Sequence, residues 1–206
     1  MSESRKAGSV ILANLAMFNE SVMLFEDEIQ PAFWEALSKA IEDWVNNPEW
    51  IGESDKYIKI SPLKWRICSS EEEGYTAATF DWSFSEGNQR SYYLADLCGF
   101  GQDEMGFRFC VKHDAFGGKS KWNKFCKALP VSISSGLQAL GFNDEGLGMF
   151  FIPIKLNPNL LVNAWENEDY EEIMQPVVTV LEKIKQSIPI FDELFSLAKA
   201  AGLARV

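Results

Sequence analysis

The stretch Arg90 to His113, RSYYLADLCGFGQDEMGFRFCVKH, constrains the fold most, because its second half alternates strictly. Phe107, Phe109 and Val111 fall on one face of a pleat and Arg108, Cys110 and Lys112 on the other, the period of a half-buried strand. Tyr92 to Leu97 is apolar on nearly both faces, which predicts a second strand in the middle of a sheet. Gly99, Gly101 and Gly106 mark the turn between them; they do not spell GxGxxG and open no helix, so a hairpin is expected.

Two further segments alternate. Tyr75 to Phe84 sets Ala78, Phe80, Trp82 and Phe84 against Thr79, Asp81 and Ser83, and Gly148 to Leu156 lines up Phe150, Ile152, Ile154 and Leu156. Pro153 suggests that the latter is an edge strand. In Tyr57 to Ile67 the apolar phase changes across Pro62, as at an edge or a bulge.

Helical spacing covers the ends. Ile11, Leu15, Phe18, Val22 and Phe25 predict a buried first helix within Ser9 to Phe25, interrupted at Glu26, Asp27 and Glu28. A second helix starts near Pro31, with Phe33, Leu37, Ala40, Ile41 and Trp44 in one stripe, and stops at Asn46, Asn47 and Pro48. Lys121 to Leu129 and Val131 to Leu140 read as helices separated by Pro130. Tyr170 to Ile184 reads as one C-terminal helix, and a separate one begins near Pro189. The expectation is a single α+β domain over residues 1–206: a mostly antiparallel sheet of about five strands, with helices packed on it and helical N- and C-terminal segments.

At 206 residues such a chain can bury roughly 70% of its unfolded surface and needs no staples. No uninterrupted apolar run approaches the about 20 residues of a bilayer span. Arg5 and Lys6 precede the apolar run Val10 to Phe18, but the run is short and no small-x-small cleavage site follows, so a signal peptide is not expected. Cys68, Cys98, Cys110 and Cys126 are irregularly spaced and read as reduced thiols of a cytoplasmic protein.

Nineteen basic against thirty acidic residues give a net charge of −11, which repels a phosphate backbone and argues against direct nucleic-acid binding. Lys119, Lys121, Lys124 and Lys127 read as the solvated side of an amphipathic helix.

Signals for chemistry are weak. Gly118, Lys119 and Ser120 match the second half of a phosphate loop, but His113 stands where its first glycine belongs. His113 is the sole histidine, no GxSxG elbow occurs, and Cys110 with His113 lacks the paired knuckles of a zinc site. No cofactor or metal is expected. Asp81 and Asp96, both placed on strands, could serve a carboxylate-based, metal-dependent hydrolase or nuclease, but no Glu-x-Lys accompanies them. Asp96 is the one charge in an apolar segment, and pairing with Arg90, Arg108 or a backbone turn would explain it.

What remains is clustered acid, at Glu20 to Glu28, at Glu71, Glu72 and Glu73, and at Trp165, Glu166, Glu168, Asp169, Tyr170, Glu171 and Glu172. The last two clusters are the expected contact residues of a non-catalytic acidic module that binds a protein partner with a basic surface. A nucleic-acid-mimicking inhibitor, an immunity protein and a chaperone-like adaptor are the roles that fit.

Overall fold

The computed structural model describes residues 3–53, 57–67, 76–85 and 91–203. The architecture is α+β, with a six-stranded antiparallel sheet of order β1-β2-β3-β4-β6-β5 and helical terminal segments. The strands are β1 (Trp50–Glu53), β2 (Lys59–Pro62), β3 (Ala78–Phe84), β4 (Met105–Val111), β5 (Asn143–Gly146) and β6 (Met149–Pro153). The helices are α1 (Glu3–Ala13), α2 (Leu15–Leu24), α3 (Gln30–Val45), α4 (Tyr93–Leu97), α5 (Lys119–Cys126), α6 (Val131–Ala139), α7 (Leu161–Asn167) and α8 (Glu171–Ala200).

Register explains the layers. Ile60, Phe80, Phe109 and Phe150 lie side by side across four strands and are all buried. One residue along, Lys59, Asp81, Arg108 and Phe151 form the neighbouring row, which by the pleat faces the other way. The inner row meets α8. Phe191 stacks on Phe109 with centroids 4.0 Å apart, and meets Phe80 at 5.5 Å, Phe142 at 5.9 Å and Phe150 at 5.9 Å.

α3 lies beside α8, its Phe33, Leu37 and Ile41 buried. Phe33 meets Tyr170 at the start of α8, and Trp44 Nε1 donates to Glu182 Oε1 at 2.6 Å one helical stretch later, so the two helices run parallel.

Five expectations are corrected. Tyr92 to Leu97 is not a strand: Tyr93–Leu97 is a short helix filling the β3–β4 connection, held by Tyr93 Oη donating to the Gln30 carbonyl at 2.5 Å. Pro62 marks no bulge and no edge; β2 ends there, and a 3-10 turn at Leu63–Trp65 turns Trp65 into the core. β6 is not an edge strand, because β5 pairs with it. Pro153 is nevertheless tolerated, since Ile154 N–H donates to Met105 and the missing N–H of Pro153 points to the opposite side, past the last β5 pair at Phe151.

Pro189 starts no helix. α8 runs through both Pro176 and Pro189, whose lost bonds belong to the carbonyls of Glu172 and Lys185, residues exposed to water. The first helix, finally, breaks at Asn14 and not at Glu26–Glu28, where a π-helical turn (Phe25–Ile29) joins α2 to α3. It is also not buried: neither α1 nor α2 contains a buried residue.

Truncation of Phe191 to Ala should destabilise the fold by about 3–5 kcal/mol, because one ring fills the junction of four phenylalanines. Urea denaturation checks this, with Phe100→Ala, 72% exposed, staying within about 0.5 kcal/mol of the parent.

Candidate partner-binding surface

The α7–α8 corner is built by backbone demands. Glu168 caps α7 in the left-handed region at φ 52°, and Asp169 N–H reaches back to the Ala164 carbonyl at 3.1 Å. Asp169 Oδ1 then accepts the Glu171 N–H at 3.2 Å, and Glu171 and Glu172 occupy the first turn of α8, where the helix dipole favours acid. Glu166, Glu168, Asp169, Glu171 and Glu172 are exposed, and none forms an ion pair among the described residues.

Trp165 and Tyr170 face the other way. Both are half-buried against the core, Tyr170 edge-on to Phe33 at 5.0 Å. Burial, with the charge of Glu168 second, raises the Tyr170 phenol above its ordinary range. The aromatics anchor the corner and the carboxylates cover it.

The parallel packing of α3 and α8 adds a cluster that was not among the expected contact residues. Since Phe33 touches Tyr170, the exposed Glu26, Asp27 and Glu28 sit one to two turns from the α7–α8 corner, about 7–11 Å along the helix. Glu26 is oriented by Tyr92 Oη at 2.7 Å. Two of the three acidic clusters therefore share one end of the molecule. Glu71, Glu72 and Glu73 lie outside the described residues.

Asp81 and Asp96 are not brought together. Asp81 points to the outer sheet face, whereas α4 carries Asp96 beside Leu94 and Leu97, which join the inner core. Asp96, on a helix rather than a strand, is 4% exposed; its Oδ1 accepts Ser91 Oγ at 2.5 Å and the Asp103 N–H at 3.2 Å. It thus ties down the 98–103 loop, and a Cβ on Gly101 would fall on that oxygen. Its Oδ2 and the Oδ1 of Asp81 are buried without a hydrogen-bond partner among the described residues.

Arg108 answers neither aspartate. Its guanidinium makes two bonds to Glu145, at 2.7 and 2.9 Å, bonds Ser83 Oγ and the Phe84 and Ser85 carbonyls, and lies over the Phe151 ring. Arg90 lies outside the described residues. Among the described residues no three His, Cys, Asp or Glu side chains converge as metal ligands.

The thiols near these groups are poor nucleophiles. Burial first, and Asp81 second, pushes Cys110 up to about 12; burial first, and Asp144 second, does the same to Cys126. His113 lies in a 3-10 turn and Gly118 precedes α5, whose Lys119 and Lys124, with Lys127 just after the helix, line a shallow surface depression with Ser120 and Asn123. Cys68 lies outside the described residues, and Cys98, Cys110 and Cys126 form no disulfide.

Two outcomes follow. Gly101→Ala should lower stability by about 1–3 kcal/mol, read from the urea midpoint, because the new methyl displaces Asp96 from the loop it holds. Below pH 9 Cys110 and Cys126 are protonated in both states; above it they ionise in the unfolded chain, from an ordinary value of 9.0, while the folded chain keeps both protons to about 12. The melting temperature should therefore fall from pH 9 to pH 12, and fall less steeply in a Cys110→Ala/Cys126→Ala variant.

Comparison of the chain with protein-family models, with curated proteins and with solved structures gives no match.

Proposed function

We propose that this chain is a non-catalytic binding module that presents its acidic end to a basic surface of a protein partner. One observation carries the reading: parallel packing of α3 and α8 puts Glu26–Glu28 and Glu166–Glu172 on one end, their carboxylates exposed and their aromatics turned inward. Such a patch steers a basic partner at long range and costs little on contact, since the rigid corner already fixes the backbone that carries it.

An inhibitor occupying a nucleic-acid site, an immunity protein and a chaperone-like adaptor all use this chemistry. The net charge of −11 fits a protein partner rather than nucleic acid. The free thiols among the described residues, Cys98, Cys110 and Cys126, fit a reducing, cytoplasmic setting.

The test is capture from host lysate on immobilised wild-type chain and on the variant Glu168→Lys/Asp169→Lys/Glu171→Lys/Glu172→Lys. A protein retained by the wild type should be lost by the variant, and its affinity should fall at least tenfold between about 0.05 M and about 0.5 M salt. Equal retention by both chains, or binding indifferent to salt, would refute the proposal. Displacement of the captured protein by duplex DNA would select the nucleic-acid mimic among the three roles.

A further inference from the structure

A groove of about 530 Å³ opens between the middle of α8 and the place where Trp50 of β1 pairs with Pro62 of β2. Its volume lies within the about 300–1,000 Å³ of small-molecule sites. Pro48, Trp50, Pro62 and Leu63 form one wall, and Ile188 and Pro189 form the other. Trp50 and Ile188 are each 6% exposed and belong to the core, so the groove ends on packed side chains, while Pro48, Leu63 and Pro189 stand exposed at its lips. Trp50 is itself wedged against Trp44, with centroids 4.7 Å apart. Three prolines on three separate elements leave these walls little freedom to lose when a ligand binds. Pro189 costs α8 the hydrogen bond to the Lys185 carbonyl and places a rigid ring in the wall.

The walls hold few polar anchors. Proline has no N–H, the Leu63 N–H is given to the Glu49 carbonyl at 2.8 Å, and the Trp50 N–H to the Asn47 carbonyl at 3.3 Å. Charged side chains supply the rest. Lys185, Ile188, Pro189 and Asp192 share one face of α8, being three, four and seven positions apart. Asp192 is occupied, accepting Lys64 Nζ at 2.5 Å and Trp65 Nε1 at 2.9 Å, and Glu182, one turn before Lys185, accepts Trp44 Nε1. Lys64 and Lys185 both border the groove, and the level of Asp192, which holds Lys64, lies about 10 Å along α8 from Lys185. Lys64 is neutralised by that pairing, whereas Lys185 forms no ion pair among the described residues. Glu49 borders the groove as well and opposes a second negative charge on whatever enters it.

We infer that the groove binds a small apolar monocarboxylate of medium chain length, with its chain along Trp50, Pro62, Leu63 and Ile188 and its carboxylate at the Lys185 ammonium. A polyanion is disfavoured by Glu49, and a cation by Lys185. The inference goes beyond the acidic-partner reading and fails separately from it: Lys185 lies about 21 Å along α8 from Glu171, and no carboxylate of the acidic end lines the groove.

Calorimetric titration of the full chain with decanoate tests it. One molecule should bind with a Kd of about 100 μM or tighter. Lys185→Gln should weaken binding about fivefold or more and Leu63→Glu about tenfold or more, whereas Glu49→Gln should tighten it. All three side chains are exposed, so the near-ultraviolet dichroism spectrum should not change. Neither heat nor a rise in melting temperature at about 1 mM decanoate overturns the inference. Equal affinity for decyltrimethylammonium overturns the role given to Lys185, and decanoate bound equally by the parent and by Leu63→Glu overturns the site. Tighter binding of an acetylated peptide ending in leucine overturns the free acid as occupant and gives the groove to the C-terminus of another chain.

Discussion

The stack of Phe191 on Phe109 is the contact on which the rest of the structure depends. Phe191 also reaches Phe80, Phe142, Phe150 and Trp65, so one residue of α8 bridges three strands, the residue preceding β5 and the turn after β2. Such rings contribute through area and through edge and offset geometry together. Because the inner sheet face carries Phe80, Phe109 and Phe150 side by side, α8 passes close over it, and that path decides where its first turn emerges. α3 follows α8 in parallel, so the acidic corner is located, at a distance, by a phenylalanine cluster.

The parts of this fold legible in the sequence are those where one periodicity persists. Alternation in β3 and β4 named the inward residues Phe80, Trp82, Phe107 and Phe109, and the helix stripe through Phe33, Leu37 and Ile41 named those of α3. Local punctuation misled where it competed with period. Pro189 looked like a helix start, yet Ile184, Ile188, Phe191 and Leu194 keep one phase across it, and that unbroken stripe was the better signal. Tyr92–Leu97 had too few residues to choose between strand and helix; tertiary contacts to Gln30 and Trp34 chose. β5 was missed because Asn143–Gly146 is wholly polar and exposed, with nothing apolar to alternate.

The candidate surface was half legible for the same reason. A cluster contiguous in sequence, Glu166 to Glu172, can be read directly, and the corner that exposes it follows from Glu168 and Asp169 acting as caps. That Glu26–Glu28 joins it depends on whether α3 runs with α8 or against it, a relation between elements more than 120 residues apart. Asp96 shows the converse. A lone acid in an apolar segment reads as chemistry, but the geometry gives it to a loop, through Ser91, Asp103 and the space that Gly101 leaves open.

How this molecule meets others is also restricted by what its sheet refuses. Both edge strands are four residues long. β1 ends in Gly52 and Glu53, while β5 carries Asp144 and Glu145 and a register shift before Gly146, features that blunt an edge against pairing with another chain. Addition of a strand is thus discouraged on either side. Exposed apolar side chains are concentrated instead on α1 and α2, where Val10, Leu12, Leu15, Met17 and Met23 are each more than half exposed, just before the acidic Glu26–Glu28 in the chain.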